Sequence, residues 1–215
     1  MKVFCRYCPQ GFSNCYILGT EFDTDSGAAE IREAILIDPG TMDEAILDFI
    51  EKNSYQVRGV FITHDHRNHV RGLRTLERIY HTEVYAVNHS IREQRTLMVR
   101  DGDILQVGPF RLEVISVPGH SADSAIFKID RLLFTGDALS AGLLGTTSSF
   151  YGAAVQMAAL RGKILSLPGD YVVLPGHGPP STLEAERRFN LGIQLFEQNK
   201  KPKSAFTFEF LEGSG

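Results

Sequence analysis

Tryptophan is absent from this chain of 215 residues, and cysteine occurs three times. No apolar run approaches the roughly 18 to 20 residues that a membrane-spanning helix needs, so no membrane contact is expected. The opening Met1-Lys2-Val3-Phe4-Cys5-Arg6 lacks the apolar stretch of a signal peptide, and the expectation is a cytoplasmic protein. An odd set of cysteines (Cys5, Cys8 and Cys15) in a chain of ordinary core size does not make a disulfide framework. Cys5 and Cys8 have CxxC spacing but no second pair of ligands nearby, so they read as half-buried strand cysteines. Charge of neither sign is concentrated. Lys and Arg total 22 against 26 Asp and Glu, a net charge of −4, with no block of five like charges. A non-specific grip on nucleic acid or anionic lipid is therefore disfavoured.

The composition is that of an ordinary globular protein: 43% apolar, 22% charged, with 20 glycines and 9 prolines. One domain over residues 1–211 is expected, followed by a disordered or vector-derived tail at 212–215. Strand-like runs lie at 3–7, 15–18 and 34–37, with a polar hairpin loop over 21–27. After Thr41, an expected N-cap, Met42, Ala45, Ile46, Phe49 and Ile50 recur at helical spacing. A strand at 59–62 follows. A helix starting at Asn68 or His69 then carries Val70, Leu73, Leu76 and Ile79 on one face, before a strand at 84–87. Short strands at 104–107, 112–117, 125–129 and 132–134 come next. The chain closes with a helix over 151–165, a strand at 171–174 and a helix over 183–198. Strands interleaved with helices predict sheets with helices packed outside them.

Five of the seven histidines follow apolar strands and stand beside turn residues. Val60-Phe61-Ile62 runs into Thr63-His64-Asp65-His66-Arg67-Asn68-His69. His120 follows Val117-Pro118-Gly119, and His177 follows Leu174-Pro175-Gly176. Asp137 follows Phe134-Thr135-Gly136 in the same manner. Neutral imidazole and carboxylate are ligands that borderline divalent cations prefer, and strand ends deliver them rigidly to one edge of a sheet. One such histidine alone reads as a satisfied surface or core residue. Four segments ending alike predict a metal site. His81 and His89 lack this context and read as surface residues.

His64-x-His66-x-Asn68-His69, Pro118-Gly119-His120, Thr135-Gly136-Asp137 and Pro175-Gly176-His177-Gly178, in this order, resemble the metallo-β-lactamase superfamily, closest to its glyoxalase II-like hydrolases. The resemblance implies an α+β fold, an αβ/βα sandwich of two facing mixed β-sheets with helices on the outer faces. It also implies His64, His66 and His120 on a first metal, His69 and His177 on a second, and Asp137 bridging both. Zinc is the implied ion, one or two per chain, with iron or manganese as alternatives. An acid at 137, where the antibiotic-hydrolysing members have Cys, argues against lactam hydrolysis. The short stretches around His177 hold neither the insertion of RNA-processing relatives nor the glutathione-binding helical domain of glyoxalase II.

Asn68 departs from the pattern, which has Asp there. A neutral amide oxygen is a weaker ligand and its NH2 is no acid or base near neutrality, so the second ion is expected to bind less tightly. Asn68 also suits the N-cap of the following helix, a role that competes with weak ligation. Asp65, between two ligands that point one way, is expected to point elsewhere.

The expected chemistry is attack of metal-activated hydroxide on a small ester, thioester or lactone. Asp137, and doubtfully Asn68, are its catalytic candidates. Phe12 at the tip of the 9–13 turn, and Ser149 and Tyr151 at a helix start, are candidate pocket walls, Ser149 serving equally well as a plain N-cap. Two alternatives remain open at this point. One is a phosphodiesterase or iron-dependent oxidoreductase on the same site. The other is a non-catalytic metal-dependent sensor or binding module, suggested by Asn68.

Overall fold

The computed structural model describes residues 1–21 and 32–200. Most of the loop expected at 21–27, and the tail at 212–215, lie outside the described residues. The first sheet has strands β1 (Lys2–Cys8), β2 (Ser13–Gly19), β3 (Arg32–Ile37), β4 (Tyr55–Phe61), β5 (Glu83–Ala86) and β6 (Leu97–Met98), in that spatial order. The second has β7 (Ile104–Val107), β8 (Phe110–Ser116), β9 (Ala125–Ile129), β10 (Leu132–Gly136), β11 (Val172–Pro175) and β12 (Ser181–Thr182), again in chain order across the sheet. Helices α1 (Glu44–Lys52), α2 (Arg67–Val70) and α3 (Leu73–Tyr80) connect strands of the first sheet. Helix α4 (Phe150–Ala159), which continues as a π-helical turn at Leu160–Leu165, lies between β10 and β11, and α5 (Leu183–Phe189) and α6 (Leu191–Lys200) follow β12.

Side-chain alternation along the strands generates the layers. Tyr16, Leu18, Ile35, Ile37 and Phe61 from the first sheet meet Leu112, Val114, Phe127 and Phe134 from the second in a shared core. The intervening residues Cys15, Ile17, Ala34, Leu36 and Val60 face outward and pack against Ile46 and Ile50 of α1 and Leu73 and Leu76 of α3. On the far side, Ile115, Ile126, Leu133 and Val173 pack against Leu160, Ile164 and Leu183. Both sheets are mixed and covered on both faces, which is the expected αβ/βα sandwich. No described helix is long and apolar enough to cross a membrane.

Five local readings are corrected. Asp43, not Thr41, caps α1: its Oδ1 accepts from the Ile46 amide at 3.1 Å, while the Thr41 hydroxyl donates to Gln10. The helix expected from Asn68 onward begins at Arg67 with His66 as its N-cap residue, so Asn68 is not a cap. That helix breaks at Gly72, where any Cβ would lie 2.6 Å from the Met42 backbone nitrogen. The last helix breaks at Asn190, whose buried side chain bonds Glu186 and the Leu143 carbonyl and caps Ile193. Cys8 is fully buried and Cys5 exposed, rather than both half-buried.

Strand polarity positions the site. β3, β4 and β5 run parallel, as do β10 and β11, and β8 runs the same way as β10 because each is antiparallel to β9. The carboxyl ends of β3, β4, β8, β10 and β11 therefore open on one edge, joined across the sheets by the Ala125 amide donating to the Thr63 carbonyl at 2.9 Å.

Loss of the α1 cap in Asp43→Ala should cost about 1 kcal/mol in urea unfolding at neutral pH. The Asp43 carboxyl is held below its ordinary value: burial opposes this, but Arg6 and the Ile46 amide prevail. Its contribution should therefore be present above the usual carboxylate range and fade as pH falls through its folded-state value.

Candidate metal centre

β4 runs through Ile62 and Thr63 to His64, the turn into α2 adds His66, and α2 itself carries Asn68 and His69. Asp137 follows β10 and His177 follows β11, with Gly136 and Pro175 in register as neighbours. His120 arrives after β8. The six residues converge in two groups: His64, His66, His120 and Asp137, and His69, Asp137 and His177. Within each group the candidate ligand atoms lie within 4.8 Å of one another, and Asp137 belongs to both. His66 Nδ1 stands 2.9 Å from His64 Nε2 and 3.0 Å from His120 Nε2. Asp137 Oδ2 lies 3.5 Å from the Nε2 atoms of His120 and His177.

Partners behind the rings set their tautomers. His69 Nδ1 donates to Asp38 Oδ2 at 2.9 Å, His120 Nδ1 to the Thr146 carbonyl at 2.7 Å, and His177 Nδ1 to the Phe12 carbonyl at 2.6 Å. His64 Nδ1 faces the Thr63 hydroxyl at 3.0 Å, and that hydroxyl donates onward to Asp38 at 2.7 Å. With Nδ1–H committed, the Nε2 atoms of His64, His120 and His177 turn lone pairs into the cluster, the usual arrangement of metal-binding imidazoles, while that of His69 faces Asp137. Asn14 Nδ2 and the Tyr16 hydroxyl both donate to the Pro175 carbonyl, which fixes the approach to His177.

His69 Nε2 and Asp137 Oδ1 are buried, have no hydrogen-bond partner among the described residues, and face each other at 3.4 Å. Unpaired buried polar atoms are costly, and a cation between them would satisfy both. A donor set of five imidazoles and a carboxylate suits zinc, iron or manganese. The residues present therefore fit a divalent ion in each group. Backbone room is also needed: a Cβ on Gly176 would lie 2.5 Å from Asp137 Oδ1, and one on Gly145 would strike the Asp137 carbonyl.

Electrostatics divide the rings. Burial, then the neighbouring His69, push His64 down to about 4, so it is neutral at pH 7. Burial also opposes charge on His69, but Asp38 and Asp137 outweigh it and raise its pKa to about 10. Burial works to raise Asp137, yet His69, His64 and His177 prevail and hold it well below the usual carboxylate range.

The remaining candidates are placed as follows. The Asn68 amide reaches His177 Nε2 at 2.6 Å, so this side chain is directed at the second group. Asp65 does point elsewhere, towards Arg92 at 3.6 Å, while its amide donates to Asp123. Phe12 borders His177 through its carbonyl, with its ring exposed. Ser149 caps α4 by accepting from the Gly152 amide at 3.0 Å, and Tyr151 is exposed on the first turn of that helix, just beyond the Thr146 carbonyl that holds His120. His81 and His89 are exposed.

Asp38 went unnoticed in the sequence, where Asp38-Pro39-Gly40 reads as a strand-closing turn. Its signal was close to that of Asp137: an acid at a turn closing an apolar strand, with a glycine nearby. Thr63, Asn14 and Tyr16 carried none, because their contribution is visible only through contacts distant in the chain.

A model of the metallo-beta-lactamase superfamily matches residues 9–177, from the turn that carries Phe12 to His177 itself. The chain belongs to this superfamily. It is 32% identical over 149 residues to a hydroxyacylglutathione hydrolase of Photorhabdus laumondii, covering 69% of this chain and 58% of that relative. The chain thus matches less than two thirds of that relative's length. Among solved structures, ETHE1 from Myxococcus xanthus superposes with a TM-score of 0.78 at 24% identity, covering 94% of this chain and 93% of that one. The BLEG-1 B3 metallo-beta-lactamase gives 0.77 at 23%, covering 89% and 99%. The di-iron-bound form of TTHA1623 gives 0.66 at 26%, covering 83% and 94%. The first two likenesses establish the shared fold of this superfamily member and nothing further.

A cation entering the group of His69, Asp137 and His177 must displace the proton that Asp38 and Asp137 favour on His69. Binding there should therefore tighten, with proton release, as pH rises from 6.5 towards about 10. Calorimetric metal titrations in buffers of different ionisation enthalpy measure the release; an affinity independent of pH would contradict it.

Proposed function

We propose that this superfamily member is a metal-dependent hydrolase of a small ester, thioester or lactone. In this reading His64, His66 and His120 would hold one zinc ion, and His69 and His177 a second, with Asp137 available to both. The observation that carries it is the pair of ligand groups sharing Asp137, with buried His69 Nε2 and Asp137 Oδ1 facing each other and hydrogen-bonded to nothing among the described residues. Bound divalent cations would supply Lewis acidity and make water acidic enough to yield hydroxide near neutral pH.

The chain's own contribution is preorganisation. Asp38, Thr63 and the carbonyls of Phe12 and Thr146 hold the imidazoles in one tautomer and orientation. Asn68 can hydrogen-bond at the second group but cannot exchange a proton there near neutrality, which leaves Asp137 as the carboxylate of the cluster. Phe12, whose carbonyl holds His177, and Tyr151, on the first turn of α4, would wall an acyl group, with Ser149 spent on its cap. The hydroxyacylglutathione hydrolase likeness supports the thioester among the three substrate types, and the di-iron relative makes iron the alternative to zinc.

Protein loaded separately with zinc and with iron, and of known metal content, should turn over at least one member of a panel of esters, thioesters, lactones and phosphodiesters. Activity on a carbonyl substrate should fall about a hundredfold or more in His120→Ala. Phosphodiester turnover alone, or none with metal fully loaded, would overturn the reading. Asn68→Asp should tighten the second ion about tenfold or more, because a carboxylate replaces a neutral amide at His177. Equal stoichiometry and affinity for both forms in a metal titration would count against Asn68 as the cause of a weak second site.

A further inference from the structure

Beside the metal centre lies a groove of about 310 Å³ lined by Gln10, Gly11, Thr41, Arg67, Asn68 and Arg71. Its lining holds two guanidinium groups and no carboxylate. Arg67 and Arg71 are four residues apart, on one side of α2, where like charges repel. Both are exposed, and neither makes a hydrogen bond or ion pair among the described residues. Nearby arginines differ: Arg74 meets Glu93 and Arg92 meets Asp65, each at 3.6 Å. Two neighbouring cations left uncompensated in a chain of net charge −4 mark a local preference for an anion rather than a generally basic surface. Thr41 donates to Gln10 Oε1 across the groove, leaving the Gln10 amide nitrogen as a further donor without a partner among the described residues. The groove shares Asn68 with the metal centre, since the Asn68 amide also touches His177.

We propose that Arg67 and Arg71 form a specificity site for an oxyanion, a carboxylate or phosphate, carried by the substrate next to its reacting carbonyl. The assignment of the anion to a substrate rests on the hydrolase reading. Paired guanidiniums suit such a group because their planar donors match two oxygens at once.

Two measurements on the metal-loaded protein test it. Matched esters and thioesters ending in a methyl, a carboxylate or a phosphate give the preference for anionic over neutral substrate as a ratio of kcat/KM. That ratio should fall about tenfold or more in the doubly substituted R67A/R71A, be partly restored in R67K/R71K, and shrink with salt. The carboxylate and phosphate arms identify which oxyanion is preferred. Separately, inorganic phosphate and acetate should shift the side-chain Nε–H resonances of Arg67 and Arg71 saturably, and exposed Arg111 much less. Turnover without anion preference, or a preference that survives R67A/R71A, overturns the proposal. Equal shifts at Arg111 overturn it as well. Selective shifts in a protein that hydrolyses none of the panel leave the groove an anion site and overturn the hydrolase reading instead.

Discussion

Mutual crowding of imidazole nitrogens is the constraint on which the site depends. His66 Nδ1 stands within 3.0 Å of the Nε2 atoms of His64 and His120, whose other nitrogens are engaged from behind, so two lone pairs converge on one nitrogen and a proton or a cation must lie among them. The fold sustains that arrangement because the rings are attached to strand ends that cannot retreat. Two hydrophobic layers back the first sheet and two back the second, so the strands are fixed on both faces. Displacing a ring would mean moving a strand whose neighbours are Phe61, Phe127 or Phe134.

Asp38 extends the constraint by one shell. It accepts from the Thr63 amide and hydroxyl and from His69, so one buried carboxylate aligns two consecutive links of the β4 exit and a ring on α2. Its backbone lies in the left-handed region, with φ of 49°, a conformation disfavoured for most residues and tolerated by Asp. The turn is therefore shaped to deliver the carboxylate rather than simply to reverse the chain.

Much of this was legible in the sequence because its signals are local. Apolar runs ending in glycine and histidine announce both the strand and the direction of its exit, and the order of four such exits carried the family resemblance. What stayed hidden depends on contacts distant in the chain. The cap of α1 fell on Asp43 because Thr41 was drawn to Gln10, and the last helix broke at Asn190 because Glu186 and the Leu143 carbonyl recruit its amide. Asn68 looked like a cap from its position before a helix, but the helix starts one residue earlier and frees its side chain to face His177. Arg67 and Arg71 carried no signal in the sequence, since only their lack of acidic neighbours among the described residues sets them apart.

The bond from His177 to the Phe12 carbonyl removes a degree of freedom from the entrance. The 9–13 turn cannot swing as an independent flap, for lifting it strips an imidazole of the acceptor that sets its tautomer. Admission of a bulky molecule on that side is thereby tied to how firmly the ring beneath keeps its orientation, so the doorway and the floor of this cleft share one hinge.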